Sequence, residues 1–229
     1  MITTVVFDLD DTLYDEIDYC RSGFASVAEF LANLLKLHAR NVFSTLWKQF
    51  EAGNRRKTFN AALDELGIDY NDDLIQKLIN VYRNHIPKIT LPTDSRNVLV
   101  ELSDKYTLAL LTDGFLPAQQ LKVQALGIEK YFKCIIYTEQ LGREYWKPSP
   151  RGFEKLLQSL NANPQNTVYI ADNEKKDFIG PNKLGILTIQ IIRPARLLIE
   201  SVPQTDAAAR HKIYKISQLP ALLANVKSA

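Results

Sequence analysis

The segment Val5-Val6-Phe7-Asp8-Leu9-Asp10-Asp11-Thr12-Leu13 is the most informative part of this sequence. An apolar, strand-forming run passes here directly into three carboxylates, Asp8, Asp10 and Asp11. Carboxylates this close repel one another and raise each other's pKa, unless a cation or a set of hydrogen-bond donors keeps them ionised. A divalent metal is the simplest such arrangement, and Mg2+ prefers oxygen ligands of this kind. An acidic turn after an ordinary strand is the other interpretation, and this segment alone leaves both open.

The rest of the chain alternates predicted strands and helices. Short apolar runs with β-branched or aromatic residues predict strands at 4–7, 106–111, 133–137, 166–171 and 186–192. Helical patterns between the later runs are typical of a doubly wound α/β core with a parallel sheet. The interval 15–92 shows several helical patterns and no comparable strand run. We therefore predict an α/β core of residues 1–14 and 93–229 with an inserted α-helical domain of residues 15–92. A loop is predicted over 193–206, and a last helix over 218–226.

Three more polar segments lie where predicted strands end or a predicted helix begins. One strand is followed by Thr112-Asp113-Gly114, and another by Asp172, with Asp177 five positions later. Lys147 lies in Trp146-Lys147-Pro148-Ser149-Pro150, directly before a helical pattern. In open α/β sheets, ligands bind beyond the carboxyl ends of the strands, so these segments are expected to converge at one site.

Together these segments resemble the signature motifs of the haloacid dehalogenase (HAD) superfamily, here DxDxT at 8–12, Thr112, Lys147 and DxxxxD at 172–177. Each motif is weak alone, but four in the family's order at compatible spacing form a strong signal. The resemblance covers nearly the whole chain and points to the phosphatase branch with a C1-type helical cap. It implies that residues 15–92 form this cap, which closes over the active site.

The resemblance implies distinct roles for the carboxylates of the first motif. Asp8, the first polar residue after the strand, is expected to be the nucleophile, since a carboxylate can accept a phosphoryl group, and also a metal ligand. Asp10 is implied to be the general acid and base, with a pKa raised toward working pH by its neighbours. Its backbone carbonyl is implied to contact the metal. The dehalogenase branch does not keep an aspartate here, so Asp10 favours phosphate chemistry. Asp11 is expected to be structural, and Thr12 to orient the loop through its hydroxyl.

The second and third motifs are expected to bind the substrate phosphate. The Thr112 hydroxyl and the backbone N–H groups of Asp113 and Gly114 can point at phosphate oxygens. Lys147 supplies positive charge to a loose phosphoryl transition state. A lone solvated lysine is the alternative for Lys147, but the flanking prolines favour a fixed position before a helix.

The last motif is implied to complete the metal site. Asp172 would join Asp8 in the Mg2+ shell, and Asp177 would position Lys147 or hold a metal-bound water. Ala171 departs mildly from the family pattern, which usually has glycine before the first aspartate of this motif.

A basic cluster, Gly53-Asn54-Arg55-Arg56-Lys57, lies in the predicted cap between two helical patterns. Such a run is most simply a solvated face. The sharper hypothesis is a substrate-specificity loop in which Arg55 or Arg56 binds a second anionic group of the substrate. That role would favour doubly anionic substrates.

The composition argues against several classes of partner. The chain has 28 Lys and Arg against 26 Asp and Glu, a net charge of +2, so no global field favours nucleic acid or an anionic membrane. The apolar runs are shorter than a membrane span, and the amino terminus lacks a basic leader region, so a cytoplasmic protein is expected. Cys20 and Cys134 lack zinc-ligand spacing and are predicted to be free, buried thiols.

The leading prediction is Mg2+-dependent hydrolysis of a small phosphorylated metabolite through an aspartyl phosphate. A phosphomutase of the beta-phosphoglucomutase type would use the same motifs, but it would return the phosphoryl group to a sugar and require a bisphosphate activator. A catalytically silent binding or regulatory protein is disfavoured because the chain retains Asp8, Asp10, Thr112, Lys147, Asp172 and Asp177. The motifs do not indicate which alcohol carries the phosphate, and no oligomeric state is predicted.

Overall fold

The computed structural model describes residues 1–197 and 206–225, and the chain divides into two compact units. One unit comprises Met1–Ile17 and Thr90–Ala229, and the other comprises Asp18–Ile89. The predicted loop at 193–206 and the end of the predicted helix at 218–226 fall partly outside the described residues. Within 1–197 and 206–225, no helix combines the length and the apolar character that a bilayer crossing requires.

The first unit is built on a parallel sheet with six strands in the described part of the chain, in the order β3-β2-β1-β4-β5-β6. The strands are β1 (Thr4–Phe7), β2 (Thr107–Thr112), β3 (Cys134–Tyr137), β4 (Thr167–Ala171), β5 (Leu187–Ile191) and β6 (His211–Ile213). The predicted α/β class and parallel sheet are confirmed. The apolar runs predict β1 to β5 well because strands covered on both faces carry few polar residues.

The second unit is helical and has its own aromatic core. Its helices are α1 (Glu16–Leu35, which belongs to this unit from Asp18 onward), α2 (Ala39–Glu51), α3 (Thr58–Glu65) and α4 (Asp72–Asn84). The ring of Phe24 lies 5.3 Å from that of Phe50 and 6.2 Å from that of Phe59, centroid to centroid. Apolar residues at helical spacing over 24–35, 59–66 and 74–82 predict α1, α3 and α4, but no such pattern was recognised for α2. Its buried residues Val42, Leu46 and Phe50 form only a narrow stripe.

Helices also flank the sheet of the first unit. They are α5 (Thr93–Ser103), α6 (Ala118–Leu126), α7 (Arg151–Leu160), α8 (Ile179–Lys183) and α9 (Leu219–Asn225). Phe153 and Leu156 of α7 pack with Val6 and Tyr169 of the sheet in one buried apolar cluster. Gly127 ends α6 with φ of 64°, a left-handed cap that glycine adopts without strain.

The strand register aligns the ends of β1, β2 and β4. Phe7 pairs with Leu110 on one side and with Ile170 on the other. The residues at or just beyond these strand ends therefore project from the same edge of the sheet. This edge carries the first, second and fourth motifs.

Candidate active site

Three buried aspartates meet beyond the carboxyl ends of β1 and β4. Carboxylate oxygens of Asp8, Asp172 and Asp177 lie within 4.8 Å of one another. The backbone N–H of Asp8 donates to the carbonyl of Ile170 at 2.9 Å, which ties the two strand ends together. A set of oxygen donors alone suits a hard divalent cation. These residues could therefore hold a metal ion.

The cluster carries more negative charge than its surroundings neutralise. Burial raises the pKa of Asp8 to about 6; the Lys147 ammonium opposes this rise, and the charge of Asp177 adds to it. Burial, followed by the charges of Asp177 and Asp8, raises the pKa of Asp172 to about 9. A cation between the carboxylates would favour their ionised forms, so metal binding here would release protons.

Lys147 contacts two of these aspartates, Asp8 and Asp177. Its Nζ is 3.0 Å from Oδ1 of Asp8, 2.8 Å from Oδ1 of Asp177 and 3.0 Å from the hydroxyl of Tyr169. Its side chain is only 1% exposed. Burial alone would lower the pKa of Lys147, but Asp177 and Asp8 hold it well above its usual value. The ammonium is therefore a fixed positive charge beside Asp8.

The end of β2 is held in place by the side chain of Asp113. Its Oδ1 accepts a hydrogen bond from the Thr138 hydroxyl at 2.6 Å, and its Oδ2 accepts from the backbone N–H of Lys147 at 3.1 Å. The Thr112 hydroxyl is buried at the same strand end. The carboxylate of Asp113 thus connects β2 to Thr138 and Lys147. Phosphate binding by Asp113 is predicted for its backbone N–H, not for its side chain.

Asp10 also lies at this edge, but its carboxylate contacts α6. Both oxygens lie 2.8 Å from Nζ of Lys122; Oδ1 accepts from the Tyr14 hydroxyl at 2.6 Å, and Oδ2 from the Gln119 amide at 3.0 Å. Burial alone would raise the pKa of Asp10, but these donors, Lys122 above all, hold it below its usual value. The expected upward shift is therefore wrong for this structure. The upward shift was expected from the acidic neighbours of Asp10 in the motif. Lys122 lies 112 positions away in the sequence, so the motif gives no sign of it.

Gln119 and Lys122 are two site residues that the sequence motifs missed. Both are buried on α6, which the sequence pattern predicts only from its apolar positions. Only their positions could have indicated them, since they are polar residues three positions apart on a helix that directly follows the Thr112 motif. Lys176 was missed too, and its Nζ lies 3.7 Å from Oδ2 of Asp113.

The loop after β1 is held by Asp11. Oδ1 of Asp11 accepts from the backbone N–H of Glu16 at 2.9 Å, and Oδ2 accepts from the backbone N–H of Leu197 at 2.8 Å. These bonds agree with the expected structural role of Asp11. The buried hydroxyl of Thr12 has no hydrogen-bond partner among residues 1–197 and 206–225. The role of this hydroxyl in orienting the loop therefore stays a prediction.

The basic cluster lies in the helical unit. Residues 53–57 are exposed, and the guanidinium of Arg55 lies 3.6 Å from the centroid of the Phe50 ring. Stacking on an aromatic face restricts the side chain of Arg55 while leaving its hydrogen-bond donors accessible. The specificity role of Arg55 and Arg56 stays a prediction.

Comparison with known proteins identifies the family. The chain is 26% identical over 233 residues to glyceraldehyde 3-phosphate phosphatase of Methanocaldococcus jannaschii, with 99% of each protein covered. It is 24% identical over 243 residues to N-acylneuraminate-9-phosphatase of Homo sapiens, covering 98% of this chain and 95% of that protein. Its fold is similar to the solved structure of a 2-haloacid dehalogenase from Pseudomonas syringae pv. Tomato DC3000, with a TM-score of 0.66, 24% identity and coverage of 98% and 99%. The model of the haloacid dehalogenase-like hydrolases matches residues 5–191, and the chain therefore belongs to that family.

Proposed function

We propose that this protein is a Mg2+-dependent phosphomonoesterase that hydrolyses small phosphorylated metabolites through an aspartyl phosphate on Asp8. The contact between Lys147 and Asp8, 3.0 Å from Nζ to Oδ1 within a buried carboxylate cluster, carries this proposal. Phosphoryl transfer needs a nucleophile, fixed positive charge beside the transferred group and a site for a divalent cation. The names of the two phosphatase relatives support the same class of activity.

In the first step, an oxygen of Asp8 attacks the substrate phosphorus, and the bond from phosphorus to the leaving alcohol breaks. Lys147 and the Thr112 hydroxyl stabilise the charge on the phosphoryl oxygens. The bound phosphate dianion adds negative charge near Asp10, which raises the pKa of that carboxyl and favours uptake of a proton. Asp10 then gives this proton to the leaving oxygen.

In the second step, water attacks the phosphorus of the aspartyl phosphate. The bond to the Asp8 oxygen breaks, the electron pair returns to the Asp8 carboxylate, and Asp10 accepts the proton of the water. Inorganic phosphate then leaves. Residues 18–89 are proposed to act as the cap and to exclude bulk water from the first step.

The proposed Mg2+ ligands are the carboxylates of Asp8 and Asp172 and the backbone carbonyl of Asp10. Asp177 is proposed to position Lys147, because its Oδ1 contacts Nζ of Lys147 at 2.8 Å and its Oδ2 accepts from the backbone N–H of Asn173 at 2.9 Å. Bound Mg2+ would neutralise charge on the phosphoryl group as it transfers. The buried carboxylates of Asp8, Asp172 and Asp177 carry more negative charge than Lys147 neutralises, which supports a cation at this position.

Phosphate rather than halide chemistry is proposed because of Asp10. Dehalogenases share this fold, so the fold alone does not decide between the two reactions. A halide departs without a proton, whereas the alkoxide of an ordinary phosphate ester needs one. In this chain, donors from Tyr14, Gln119 and Lys122 hold the carboxylate of Asp10 in place. A reaction that releases halide would not require a carboxyl group held in this way.

Phosphate release from a broad panel of phosphorylated metabolites, measured with Mg2+ present, tests the proposal. We expect release from at least one triose or sugar phosphate, and a fall of at least about 100-fold when a chelator removes the metal. Restoring Mg2+ should recover the activity. A wild-type protein that releases no phosphate from any member, including a generic aryl phosphate, would contradict the proposal.

Replacing Arg55 and Arg56 together by alanine tests the cap-loop hypothesis. If either guanidinium binds a second anionic group, KM for the preferred doubly anionic substrate should rise by about 10- to 100-fold, the size of a lost charge-assisted hydrogen bond. KM for p-nitrophenyl phosphate, which has no second anion, should change little. Arg40→Ala, at an exposed position of the same unit, is the matched control. Equal changes with both substrates would reject the hypothesis.

A further inference from the structure

Helix α6 directs two polar side chains into the protein. Gln119 and Lys122 are three positions apart, so they lie on the same face of the helix, and both are buried. Glutamine and lysine are seldom fully buried unless partners satisfy them. Their partners in this structure belong to the candidate active site.

The first partner is Asp10, which α6 holds at both carboxylate oxygens. Lys122 lies 2.8 Å from each oxygen, Gln119 donates to Oδ2 at 3.0 Å, and Tyr14 donates to Oδ1 at 2.6 Å. Lys122 also lies 3.7 Å from a carboxylate oxygen of Glu16. Rotation of the Asp10 carboxylate would break several of these contacts at once, so its orientation is fixed.

The second partner is the phosphate-binding end of β2. Nε2 of Gln119 lies 2.6 Å from Oγ1 of Thr112 and 2.9 Å from the carbonyl oxygen of Asp113. Gly114 leaves room for this side chain, since a Cβ at that position would lie 2.8 Å from Cδ of Gln119. One amide therefore joins the predicted acid and base to the residues expected to bind phosphate.

We propose that Gln119 and Lys122 are positioning residues that hold Asp10 where it accepts the proton of the attacking water. In that step the water oxygen bonds to phosphorus, the bond from phosphorus to Asp8 breaks, and the proton moves to Asp10. Lys122 keeps its own protons throughout. This inference rests on the proposed function and deepens it, because it assigns to two residues of α6 the orientation of Asp10 during hydrolysis of the aspartyl phosphate.

The test follows the two half-reactions separately in Gln119→Met and Lys122→Met. The substrate is p-nitrophenyl phosphate, whose leaving group departs without a proton, so the first step does not depend on Asp10. Rapid acid quench gives the rates at which nitrophenolate is released and the phosphoenzyme is lost. We expect hydrolysis of the phosphoenzyme to slow by about 10- to 100-fold and its formation to change by less than about 3-fold. The phosphoenzyme should then accumulate, with a burst of nitrophenolate that approaches one per active site.

Gln124→Met provides the matched control, since Gln124 is exposed on the same helix. Both rates should equal those of the wild type in this variant. Gln119→Met removes no charge, so it carries the test if Lys122→Met does not fold. Equal slowing of both steps, or unchanged hydrolysis in the folded variants, would overturn the positioning role alone. A wild-type protein that does not turn over p-nitrophenyl phosphate or any other phosphate ester would overturn the proposed function together with this inference.

Discussion

Asp8→Asn is expected to abolish phosphate release, with kcat at least about 10,000-fold below the wild type. The amide removes the nucleophilic oxygen while keeping the size of the side chain. The same variant should be no less stable than the wild type in the absence of metal. Burial raises the pKa of Asp8 to about 6, so above that pH the folded protein bears the cost of a buried charge. Phosphate release and thermal unfolding, both at pH 8, check the two results.

The sign of the stability effect follows from proton linkage. Because the folded state holds the Asp8 proton more tightly than the unfolded state, the contribution of Asp8 to stability falls as pH rises from about 4 toward 6. Asp8→Asn removes this dependence. An inactive variant that also unfolds far more easily would suggest that Asp8 acts by holding the fold, and retained activity would reject the nucleophile.

Lys147→Met is expected to combine a large loss of activity with a large loss of stability. Lys147 is buried against Asp8 and Asp177, and its removal leaves both carboxylates without their closest cation. Removing one partner from a buried ion pair typically costs about 3–5 kcal/mol, and loss of a charge-stabilising donor costs about 100- to 1,000-fold in kcat. Denaturant unfolding and phosphate release measure the two effects.

A second substitution separates the two roles of Lys147. Adding Asp177→Asn to Lys147→Met removes one unpaired carboxylate, so it should restore part of the stability without restoring activity. Lys183→Met, at an exposed position of α8, should change neither quantity appreciably. If Lys147→Met were as stable and as active as the wild type, Lys147 would be neither the stabilising partner of Asp8 and Asp177 nor a charge that assists phosphoryl transfer.

The parallel sheet was predictable because its strands are short, apolar and sharply bounded by polar residues. Helices with a narrow buried face were harder to predict. In α5 the buried residues are Ser95, Val98, Leu99 and Leu102, so the pattern is short and includes a serine. Hydrophobic periodicity is a weak signal when so few positions contribute to it.

The motif aspartates and Lys147 were predictable because each directly follows a strand or precedes a helix. The strand register brings Asp8 and Asp172 to one edge of the sheet, and Asp177 and Lys147 lie beside them. The environment of Asp10 was not predictable, because it depends on how α6 packs against the end of β1. No local pattern shows that a lysine in a helix will turn inward to a carboxylate rather than outward to solvent.

Trapping the covalent intermediate tests whether Asp8 is the nucleophile. The wild-type protein would be mixed with its preferred substrate and Mg2+, quenched in acid within milliseconds, digested and examined by mass spectrometry. We expect one added phosphoryl group on the peptide that contains Asp8, located on Asp8 by fragmentation and absent from Asp8→Asn. Turnover at the wild-type rate with no phosphoryl group on Asp8, or with the group on another residue, would contradict this role of Asp8.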